Sequence, residues 1–91
     1  MSSPNPFEER TLYTIDNQDG ERTTITLDKL TADVLQKIVP DVHAWVQNAY
    51  DRVRLLKPDL TRRELGDLVR ALANAEARKS PEYMQLINSI L

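Results

Sequence analysis

Few side chains in this sequence are of a type and spacing that could do chemistry. His43 is its only histidine, and no second ligand or nucleophile stands at useful spacing from it, so it reads as a packing or surface residue and not as a general base. Cysteine is absent, which excludes a thiol nucleophile, a cysteine metal site and a disulfide framework. Gly20 and Gly66 are the only glycines, too few for a phosphate-cradling loop, and neither a His-Glu-x-x-His motif nor a paired-carboxylate arrangement stands out. A non-enzyme without catalytic residues, bound metal or cofactor is expected, because a catalytic site needs several converging groups. What remains is recognition chemistry. Arg22, Thr24 and Thr26 alternate along Arg22-Thr23-Thr24-Ile25-Thr26-Leu27; an arginine suits guanine or phosphate, and a threonine suits a base edge or a thymine methyl. Thr61, Arg62 and Arg63 form a second polar cluster, with two guanidiniums beside a hydroxyl.

Side chains alternate across a strand, so Ile25 and Leu27 fall on the face opposite Arg22, Thr24 and Thr26. One strand is not stable alone, and this one must pair and lay its apolar side on helices. Upstream, Thr11-Leu12-Tyr13-Thr14-Ile15 has strand composition and Asp16-Asn17-Gln18-Asp19-Gly20 has turn composition, which predicts a hairpin from 11 to 27. A strand from a second copy is the other source of a partner, and the two are compatible because each strand has two edges. Thr24 and Thr26 also read as an ordinary solvated strand face, since strands use threonine freely.

From Lys29 the apolar period becomes helical through Leu30, Val34, Leu35, Ile38 and Val39, then Val42, Trp45, Val46, Ala49, Tyr50 and Val53. Proline inside a helix costs about 3 kcal/mol, so the spacing predicts a break at Val39-Pro40, with helices near 29–38 and 41–56; one kinked helix is the alternative. Trp45 and Tyr50 read as core or interface anchors and not as a base-stacking platform. Thr61-Arg62-Arg63-Glu64 reads as a capping box opening a third helix to about Arg78, and Ser80-Pro81-Glu82 opens a fourth. The last helix is too apolar to hang free and should dock on the body or on a partner.

The run Arg-Thr-Thr-Ile-Thr-Leu, then Asp28 and a helix carrying Leu35, Ile38 and Val39, resembles the ribbon-helix-helix proteins, the group of the Arc and MetJ repressors, and most closely the small plasmid copy-number repressors. The resemblance covers roughly residues 21 to 56. It implies a homodimer in which each chain gives one strand to an antiparallel ribbon that enters the major groove of double-stranded DNA. Arg22, Thr24 and Thr26 would then meet the bases, and Ile25, Leu27, Leu35, Ile38, Trp45 and Val46 would form the dimer core. In that family the start of the second helix holds a phosphate. A break at Pro40 puts that start at Asp41, whose charge repels phosphate; a single helix over 29–56 moves the clamp to Thr61, Arg62 and Arg63. The expected fold is mostly α with a short β ribbon: residues 1–10 a flexible arm, 11–91 a single domain with ribbon and first helices over 21–56 and a C-terminal helical extension over 60–91.

Ninety-one residues make a small core, which a dimer would enlarge. Net charge is −2. Residues 1–20 hold four acids (Glu8, Glu9, Asp16, Asp19) against Arg10, a balance of −3, which leaves the rest at +1. A near-neutral body can bind DNA where its cations cluster. No apolar run reaches the length of a membrane span, and residues 1–20 lack signal-peptide character, so a cytoplasmic protein is expected. These readings predict a transcriptional or plasmid-maintenance regulator. The alternative is an interaction module, or an antitoxin-like protein whose C-terminal helices bind a protein partner.

Overall fold

A computed structural model describes residues 9–17 and 19–90. The chain runs β1 (Arg10–Asp16), β2 (Arg22–Asp28), α1 (Lys29–Ile38), α2 (Val42–Leu56), α3 (Arg62–Ala77) and α4 (Pro81–Ile90), mostly helix with one two-stranded antiparallel sheet. Most of the expected arm, residues 1–8, lies outside the described residues. Arg10 does not belong to an arm: it opens β1 opposite Asp28, and the Glu9 carbonyl before it accepts the Lys29 amide at 2.9 Å.

Each boundary has a local cause. Asn17 closes the hairpin: its side-chain oxygen accepts the amides of Asp19 and Glu21, both at 3.0 Å, and Gly20 takes the left-handed φ of 77° that a side chain would resist. Asp28 ends β2 and caps α1 by accepting the Thr31 amide at 2.9 Å. Val39 and Pro40 are extended or bent, and α2 restarts under an Asp41 cap on the Ala44 amide. The chain thus breaks at Pro40 and does not run through as one kinked helix. Thr61 and Glu64 form the complete capping box of α3, and Ser80 precedes Pro81 at the first position of α4.

The inner face of the hairpin, Tyr13, Ile15, Ile25 and Leu27, is buried under the helices. α3 is central to that burial. Its Leu65, Val69 and Ala73 join Leu35, Val42, Val46, Ala49, Tyr50 and Val53 in the main core, and Gly66 lies beneath Ile25. The segment after Leu60 is therefore part of the body, with α3 packed on β2, α1 and α2. α4 closes a smaller cluster in which Tyr83 and Ile87 meet Val34, Ala77 and Leu30. No helix among the described residues is long and apolar enough to cross a membrane.

Candidate nucleic-acid interface

The hairpin register sorts the outer face into cross-strand pairs: Arg10 with Asp28, Leu12 with Thr26, Thr14 with Thr24, and Asp16 with Arg22. Arg22 and Thr24 are exposed and Thr26 half-buried. Leu12, 66 % exposed, adds an apolar spot beside the threonines. A basic and an acidic residue sit at each end of this face, so its charge is balanced across the sheet.

The two edges of the sheet are unequal. The Asn17 amide bonds to the Glu21 carbonyl and the Lys29 amide to the Glu9 carbonyl, and both pairs continue the β1–β2 register at its two ends. Antiparallel ladders alternate bonded and unbonded pairs. The odd-numbered residues therefore bond across the hairpin, and the even-numbered ones turn their amides and carbonyls to the outer edges. On β1 the turn end of that edge, at Asp16 and Thr14, is met by two side chains from α2, one turn apart. Gln47 donates from Nε2 to the Asp16 carbonyl at 3.0 Å and accepts the Asp16 amide on Oε1 at 2.9 Å, as a neighbouring strand would. His43 Nε2 meets the Thr14 carbonyl at 2.5 Å; a carbonyl only accepts, so this nitrogen carries the proton. On β2 no described residue hydrogen-bonds to the outward main-chain groups of Arg22, Thr24 or Thr26. His43, expected to pack or sit at the surface, is an edge cap together with Gln47, and their i, i+4 spacing on one helix is the one legible signal of it.

The second polar cluster is already engaged. The Thr61 hydroxyl accepts the Glu64 amide at 3.2 Å, and Arg62 is ion-paired with Glu21. Arg63 is exposed in the first turn of α3. At the start of α2 the Asp41 carboxylate occupies the Ala44 amide at 3.1 Å, where an anion would otherwise bind. Lys29, Lys37, Arg54, Arg70 and Lys79 also face acidic partners. Six of the twelve cations are thus ion-paired, and among the residues expected to touch DNA Arg22 and Arg63 have no acidic partner among the described residues.

Of the residues expected in a dimer core, Ile25, Leu27, Leu35 and Val46 are buried within one chain, Trp45 packs half-buried against the same core, and Ile38 is 39 % exposed. A second copy would extend this core and is not needed to create it. The buried Tyr13 hydroxyl has no hydrogen-bond partner among the described residues, and burial, then the Asp33 carboxylate, push the phenol above its ordinary pKa. Among the described residues no group of acids and histidine is arranged to hold a metal. Comparison with protein-family models, curated proteins and solved structures finds no match for this chain.

Proposed function

We propose that this protein is a DNA-binding regulator that works as a dimer, with β2 of two copies forming a ribbon whose outer face enters the major groove. The unmet edge of β2 carries this reading. Gln47 and His43 meet the β1 edge at Asp16 and Thr14, no described residue meets the β2 edge at Arg22, Thr24 or Thr26, and β2 combines an apolar underside with that outward row. Helices of 10 and 15 residues broken at Pro40 follow it, which suits the ribbon-helix-helix arrangement that its sequence resembles. Thr24 and Thr26 would carry base contacts, and Arg22 flanks them across from Asp16.

The test is fluorescence anisotropy against random-sequence duplex DNA over a salt series, followed by selection of a preferred site from the same pool. Binding should weaken with salt. Thr24→Ala/Thr26→Ala should lose preference for the selected site by about tenfold or more while melting like the wild type. No binding at low salt by a folded protein would remove DNA from the mechanism.

A second reading, a protein-interaction module, is favoured by apolar side chains left at the surface of the C-terminal half. Leu55 and Leu56 at the end of α2 are 77 % and 76 % exposed, and Leu72 of α3 borders a groove with Trp45 and Ala49. Contiguous exposed apolar surface marks interaction sites. Leu55→Ser/Leu72→Ser separates the two: DNA binding kept while a protein partner is lost would join both roles in one chain.

A further inference from the structure

We infer that the second copy pairs along β2 in a register centred on Ile25, and that Arg22 locks this register across the seam by facing Asp28 of the other chain. The inference rests on the ribbon reading above and gives its interface a definite geometry. Only even-numbered residues of β2 present free main-chain groups, so an antiparallel β2–β2 ladder must bond even to even. Every register centred on a residue satisfies that condition, and centres on Thr23 or Leu27 overlap only three residues of β2. Centring on Thr24 sets Asp28 against the turn residue Gly20, and centring on Thr26 runs Arg22 past the strand into α1. Centring on Ile25 overlaps all seven residues of β2, sets Thr24 against Thr26 of the other copy, and sets Arg22 against Asp28 twice by symmetry.

Charge complementarity chooses the same register. Arg22 has no ion-pair partner among the described residues and stands in line with Asp16 on β1. The Asp28 carboxylate is held in place because it accepts both the amide and the hydroxyl of Thr31, and that hydroxyl lies 3.0 Å from the Asn74 side-chain amide of α3. In the dimer each Arg22 sits between Asp16 of its own chain and Asp28 of its neighbour. Arg22 then serves the seam, and Thr24 and Thr26 of both chains make up the centre of the outer face. At β1 the same approach is obstructed at its turn end, where Gln47 and His43 already hold Asp16 and Thr14.

The chain has no cysteine, so single-cysteine variants give unambiguous cross-links. A mixture of Thr24→Cys and Thr26→Cys proteins should form a disulfide on mild oxidation, since directly opposed residues lie within disulfide reach; Thr24→Cys alone should not, because its own copy is two residues out of line. Sedimentation equilibrium should give a wild-type dimer. Arg22→Glu should raise its Kd about tenfold, two like-charge pairs replacing two opposite ones. In an Asp28→Asn background, which keeps the helix cap, Arg22→Glu should cost much less. A dimer that cross-links through Thr24→Cys alone, or one indifferent to Arg22→Glu, overturns the register and leaves the ribbon reading standing. A wild-type monomer at every concentration overturns both.

Discussion

α3 and α4 begin alike and end differently. Each starts from a capping hydroxyl, Thr61 or Ser80, and α4 is the more apolar of the two, yet α3 buries Leu65, Gly66, Val69, Ala73 and Ala77 whereas α4 buries Tyr83 alone. The difference lies in shape. Leu65, Val69 and Ala73 of α3 fit into the main core between the sheet and the first two helices, and Ala77 joins the smaller cluster. On α4 the apolar arc is wide, and the body covers only its Tyr83 and Ile87 part; Met84, Leu86 and Ile90 stay at the surface, at 38–53 % exposure. Burial follows the fit of a stripe to its neighbours more than the hydrophobicity of the helix.

That contrast can be broken in a graded way. The largest effect should come from Leu65→Ala, which removes a core side chain of 3 % exposure and should cost about 2–5 kcal/mol by denaturant titration. A cost no greater than that of an α4 surface change would dissolve the distinction. Thr61→Ala breaks the complete capping box and should cost about 1 kcal/mol, lowering Tm by roughly 4–8 °C. Ser80→Ala should cost less, since its hydroxyl holds the Tyr83 amide at only 3.5 Å; equal losses would mean that the two caps hold equally. Gly66→Ala moves the other way. Its new Cβ would meet Ile25 Cδ1 at 3.6 Å, an ordinary contact, so the gain in helix propensity should stabilise the protein by about 0.5–1 kcal/mol. Destabilisation there would show that α3 sits closer to β2 than this spacing. Smallest of all, Ile90→Ser should change stability by under about 0.5 kcal/mol, so any loss of association it causes would belong to a partner surface.

The candidate interface was legible in part. Alternation along Arg22–Leu27 separates the outward threonines from Ile25 and Leu27 without reference to the rest of the chain. The capping of the β1 edge at Asp16 was not legible, because Gln47 reaches Asp16 across 31 residues and no local pattern marks an amide that will stand in for a strand. Nor was the engagement of Arg62, whose partner Glu21 lies in the hairpin turn.

By itself the sequence determined the local events: the hairpin turn ending at Gly20, the break at Pro40, the caps at Thr61 and Ser80, and the inward face of each strand. These depend on φ preferences, missing amides and side chains bonding within a few residues, all of which act before the chain is packed. Tertiary structure alone decided that α3 lies against β2, that α4 stays at the margin, and that Gln47 and His43 meet the β1 edge at Asp16 and Thr14. Those outcomes turn on which surfaces fit and which polar groups meet across long separations, and strand and helix periodicity leave both undetermined.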